Sequence, residues 1–113
     1  MRRVLLFALL LAGCSKGPEA DLQYIKQARS LAAEWALINE QAAQGKLTGT
    51  YVTSMHEWLR DQLEATSTSL AQPGSAYGQE FKALLDQSDD AAPDELRAHS
   101  GKLKHIEDQL ESA

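Results

Sequence analysis

The sequence predicts an all-α fold: a small helical bundle built on a long antiparallel helical hairpin, with two shorter helices packed on it. Three observations predict it. Beyond residue 20, apolar residues recur at alternating spacings of three and four, the mark of one helix face. No stretch alternates apolar and polar residues as a half-buried strand does. Breaker residues at Gly45–Gly49, Gln72-Pro73-Gly74 and Ser88–Ala92 cut this part of the chain into four segments.

The first helix is expected over roughly Asp21–Gln44, with Asp21 as its N-cap or first-turn acid. Tyr24, Ala28, Leu31, Trp35, Ile38 and Ala42 form a narrow apolar stripe, and Gly45 is its C-terminal stop. The second is expected over roughly Thr50–Ala71, capped by Thr48 or Thr50. Val52, Met55, Leu59, Leu63, Thr66 and Leu70 form its stripe. Folded back at Gly45–Gly49, the two stripes match: Ala42 with Val52, Trp35 with Leu59, Leu31 with Leu63, Ala28 with Thr66 and Tyr24 with Leu70. The numbers of each pair add to 94, the constant that an antiparallel hairpin requires. Small residues in the Ala28–Thr66 layer allow a close approach there.

After Gln72-Pro73-Gly74 a third helix is expected over roughly Ser75–Gln87, burying Tyr77, Phe81, Leu84 and Leu85. Gly78 weakens it by about 1 kcal/mol relative to alanine. Pro93, Asp94 and Glu95 open the last helix, which runs to about Glu111 with Leu96, His99, Leu103, Ile106 and Leu110 as its stripe.

The first fourteen residues have a different character. Arg2 and Arg3 precede an apolar run of 8 residues, Val4–Leu11, and then Ala12-Gly13 and Cys14, the only cysteine. Charge, apolar core and small-residue cleavage site are the three parts of a secretory leader. The run is too short to span a membrane, which takes about 20 residues. Leu11-Ala12-Gly13-Cys14 resembles the lipobox of a bacterial lipoprotein. The resemblance covers only this stretch; the helical part resembles no family. It implies that residues 1–13 are a signal peptide and that Cys14 becomes the lipidated first residue, carrying a diacylglyceryl thioether and an N-terminal acyl group. More than one acyl chain gives stable anchoring, at about 0.8 kcal/mol per buried CH₂. By the same resemblance, Ser15 instead of Asp after the cysteine leans toward the periplasmic face of the outer membrane.

Residues 14–20 then form the lipidated cysteine and a tether, and residues 21–113 the helical domain. Gly17-Pro18 forbids a continuous helix in the tether. Ser15–Ala20 spans at most about 20 Å, so the domain is expected to hang close to the bilayer. Removal of residues 1–13 leaves 100 residues, enough for one domain. The whole chain carries 11 basic and 16 acidic residues; without Arg2 and Arg3 the balance is 9 against 16, a net charge of −7. An acidic domain argues against nucleic acid as partner and against electrostatic attachment to anionic lipid. The lipid on Cys14 is thus the expected membrane contact.

Reactive constellations are sparse. His56, His99 and His105 are the only histidines, and their spacing matches neither a His-Glu-x-x-His site nor the Glu-x-x-His of di-iron bundles. A haem held by Met55 with His99 or His105 likewise has no support from spacing. Ser54 and His56 are two apart on a helix and point in different directions, so they make no catalytic pair. His99, at a core-type position, reads either as a metal, ligand or proton-transfer group or as a core-edge histidine bonded to a neighbour, Glu95 one turn earlier being the expected partner. Thr66–Ser69 reads as a recognition stretch or as the soft end of a helix. Trp35 is on its stripe and is expected in the core. Trp58 is just off its stripe and is the better candidate for packing the later helices or a partner. The functional expectation is a non-catalytic, membrane-anchored envelope lipoprotein that presents a helical face to another envelope protein, with no cofactor. The alternative is a small-ligand or metal-binding bundle using His99.

Overall fold

The computed structural model describes residues 17–112. They form four α-helices: α1 Leu22–Ala43, α2 Gly49–Thr68, α3 Ala76–Leu85 and α4 Pro93–Ser112, preceded by a 3₁₀ turn at Pro18–Asp21. The small all-α bundle is as expected. Successive helices run up and down, and each packs against its sequence neighbour, with α4 returning to α1.

The expected hairpin register is present. His56 meets Asn39, Arg60 lies over Trp35, and Asp21 meets Ala71 and Gln72. These numbers add to between 92 and 95, close to the constant of 94. Ala28, Leu31 and Trp35 of α1 and Leu59, Leu63 and Thr66 of α2 are all buried.

The weight of the packing lies elsewhere than expected. α1 packs more extensively against α4 than against its hairpin partner. α4 has 20 residues, as many as α2, so only α3 is short. α1 therefore buries a second face, Ile25, Ala32 and Ala36, beside the expected stripe. Alanines there let α4 come close. Ion pairs Lys26–Glu111 and Arg29–Glu107 and the contact of Arg97 with Glu40 set an antiparallel register, each adding to 136 or 137. Each fully buried Leu, Ile or Phe, such as Leu59, Leu103 and Phe81, contributes roughly 1.5–3 kcal/mol.

Helix ends follow local chemistry. Gly45 takes a left-handed φ of 71°, and the amides of Gly45 and Lys46 bond back to Ala42 and Gln41, closing α1. Thr48 Oγ1 accepts from the Tyr51 amide and caps α2; Ser75 Oγ accepts from the Gly78 amide and caps α3. Gly78 is needed for space: a Cβ there would sit 2.0 Å from the Pro73 carbonyl oxygen. α2 stops at Thr68, three residues earlier than expected. The hydroxyls of Thr66, Thr68 and Ser69 donate to carbonyls four residues back, so this run behaves as a helix end.

Two expectations are corrected here. Asp21 takes the N-cap position of α1 as expected, but its carboxylate caps no amide of that helix; it is buried and turned toward the loop after α2. Pro18–Asp21 is wound into a 3₁₀ turn that packs on α1 and α4, so Pro18–Ala20, expected in a tether, belong to the folded part.

Candidate functional site

Polar side chains gather at both ends of the bundle. At the end where the chain enters, the Asp21 carboxylate accepts from the Ala71 amide at 2.7 Å, the Gln72 amide at 3.0 Å and the Tyr77 hydroxyl at 2.6 Å. One acid thus joins the start of α1 to the α2–α3 loop and to α3. Burial, then the hydrogen bond to Asp21, pushes the Tyr77 hydroxyl up to about 12.

At the other end the α3–α4 loop is held by α1 and α2. Trp35 Nε1 and Asn39 Nδ2 each donate to the Asp89 carbonyl at 2.9 Å, and Asn39 Nδ2 also donates to Ala91 at 2.8 Å. Both amide hydrogens being used, Asn39 Oδ1 faces His56, whose Nε2 therefore donates across 2.7 Å. Arg60 adds three contacts, to the carbonyls of Leu85 and Gln87 and to the Asp89 carboxylate, while lying 5.3 Å above the Trp35 ring. A cleft of about 360 Å³ opens here, lined by Ala42, Val52, His56, Asp90 and Pro93 among others. These groups hold one another, which makes the cluster a fastening of the loop.

His99 is half-buried, and its partner is Glu80 of α3 rather than Glu95 of its own helix. Nδ1 faces the Glu80 carboxylate and Nε2 lies 3.3 Å from Gln87 Nε2. α3 was expected, but which of its residues would face His99 depends on how α3 and α4 dock, which one helix does not reveal. His105 is exposed and lines a more open groove of about 560 Å³ between α3 and α4, with Ala76, Glu80, Ala98, Gly101 and Ile106. The three histidines do not meet at a common site. Among the described residues, the one group of three side chains placed to share a cation is Glu107, Asp108 and Glu111. Arg29, Lys104 and Lys26 already contact it. Burial works to raise the Glu107 carboxyl, but hydrogen bonds from Arg29 and Lys104 outweigh it and hold the carboxyl below its usual range.

The two tryptophans separate as their stripes suggest. Trp35 is 1% exposed and Trp58 45%. Tyr51, at 47%, lies seven residues before Trp58, and half-buried Met55 lies between them at helical spacing. Together they make a second stripe on α2, beside the one facing the core. That stripe is readable in the sequence as four-three spacing at 51, 55 and 58, but Met55 also falls on the core stripe and masks it. Leu37, the third large exposed apolar residue, stands on α1 with Glu34 and Glu40 one turn away on either side.

Cys14 and the leader lie outside the described residues. Among those described, no helix is long and apolar enough to cross a membrane. Comparison with protein families, with characterised proteins and with solved structures gives no match.

Proposed function

We propose that the chain is a lipid-anchored envelope protein whose helical bundle presents a surface to another envelope protein and carries out no catalysis of its own. The observation that carries this reading is Leu11-Ala12-Gly13-Cys14 directly after a charged and apolar leader, with the sole cysteine at the lipidation position. Ser15 favours the outer membrane as the destination. The exposed Tyr51 and Trp58 support the second half, because large aromatics left in water on a small domain are common at binding surfaces. A ligand or metal at His99 would first have to displace Glu80 or Gln87, which ranks that reading second.

The test is metabolic labelling of the full chain in bacterial cells with an alkyne fatty acid. The chain should take up the label, lose residues 1–13 and fractionate with membranes. Cys14→Ser should take up none. A chain joined to an ordinary secretory leader before Ser15 should be released as a soluble periplasmic protein. Label-free wild type, or a soluble form that still sediments with membranes at high salt, would overturn the anchor. Metal analysis and absorbance of that soluble form decide the second reading: a bound ion or chromophore lost in His99→Ala would promote it.

A further inference from the structure

We infer that the outer face of α2 is a docking surface for a basic amphipathic helix of another protein; this deepens the interaction reading above and rests on it. Four observations meet on that face. Tyr51, Met55 and Trp58 form an apolar stripe at spacings of four and three. Neither the Tyr51 hydroxyl nor the Trp58 indole nitrogen has a partner among the described residues, whereas Trp35 and Tyr77 both bond theirs inside the bundle. Alongside runs a second stripe, Ser54, Glu57, Asp61 and Glu64, all exposed. The three acids make no ion pair among the described residues, and the one arginine of α2, Arg60, is turned the other way into the α3–α4 loop.

The charge pattern selects the occupant. Glu57 and Asp61 are four apart on one helix, a spacing at which like charges face each other and destabilise it. A cation from outside would relieve that repulsion; among the described residues no ion pair does. A second copy would bring the same acids face to face, and an anionic membrane would repel them. A helix with apolar residues at three-four spacing and Lys or Arg beside them matches both stripes at once. Tyr51 and Trp58 are the residue types that supply most binding energy when a partner excludes water from them.

The experiment places a photo-crosslinking phenylalanine at position 54, on the second stripe where it borders the first, in the full chain expressed in bacterial cells. Matched probes go at position 98, in the α3–α4 groove, and at position 109, on α4. Position 54 should give a discrete adduct, mapped by mass spectrometry to a basic amphipathic helix of another protein. Trp58→Ala, and separately Glu57→Gln with Asp61→Asn and Glu64→Gln, should each reduce that adduct at least five-fold, with melting curves unchanged. An adduct to a second copy, to lipid, or to an acidic or uncharged segment overturns the proposal, as does an adduct indifferent to the charge variant or no adduct at 54. If position 98 alone captures a protein while Cys14 takes up label, the α2 surface fails and the interaction reading stands. If Cys14 takes up no label, the anchor reading fails, and the adduct at 54 still decides the surface by itself.

Discussion

Trp35 and Tyr77 lie inside the bundle with their polar tips bonded to Asp89 and Asp21; Trp58 and Tyr51 lie on the outside of α2 with theirs in water. The same two residue types have been put to two uses. The inner pair closes the two ends of the bundle, each tip satisfying a group on a different element. The outer pair bonds to nothing among the described residues. The acids repeat the contrast. Glu107, Asp108 and Glu111 of α4 all meet cations, while Glu57, Asp61 and Glu64 of α2 meet none among the described residues. Stability is therefore concentrated between α1 and α4 and in the two polar ends, and the outer face of α2 contributes little to it.

Trp35→Ala should cost the most. It leaves a cavity and removes a donor from the Asp89 carbonyl, and about 3–5 kcal/mol of stability should be lost in urea unfolding. A loss under 1 kcal/mol would erase the distinction between the inner and outer pairs.

Arg29→Met comes next. It strips a buried carboxylate of its closest cation, at 2.8 Å, but Arg29 is one third exposed, so about 1–2 kcal/mol is expected. The Glu107 carboxyl is held below its ordinary value of 4.5, so its contribution is present above that pH and lost as pH falls through the folded value. Acid unfolding curves of Arg29→Met should lose part of that decline; superimposable curves would show that the pair contributes nothing.

Tyr77→Phe should cost about 1–2 kcal/mol, because Asp21 loses one of three donors. The folded hydroxyl titrates at about 12 against an ordinary 10.0, so its contribution is intact below pH 10 and lost as pH rises through 12. Wild-type stability should decline across that interval, with a late phenolate absorbance step. Both should be missing in Tyr77→Phe, and a late step that survives would belong to another group.

Trp58→Ala should be the smallest, within about 0.5 kcal/mol of wild type. A loss as large as that of Trp35→Ala would mean that Trp58 serves the core after all.

The four helices and the hairpin register were legible because large apolar residues mark the stripes at 24–42 and 52–70, and glycine and proline mark the breaks. The second face of α1 was not, because Ala32 and Ala36 carry little hydrophobic signal, and their value is the close approach they allow α4. Asp21 has the right residue type and place for an N-cap, and only the docking of the α2–α3 loop turns it inward. Asn39 and Arg60 gave no periodic signal at all. Their partners are mainly backbone carbonyls of a loop some 25 to 52 residues away, and backbone atoms leave no trace in residue type. Of the candidate surface, Trp58 was marked by its place just off the stripe, while the unpaired acids could be recognised only once Arg60 was seen to turn away.

Asp21 also decides how the domain would answer a pull. Force applied through residue 17 would otherwise peel α1 from its first turn, one hydrogen bond at a time. The carboxylate instead hands the load straight to the amides of Ala71 and Gln72 and to Tyr77, so three elements resist together. The bundle is gripped at this point and should give way abruptly, all at once, not by gradual unwinding from residue 17.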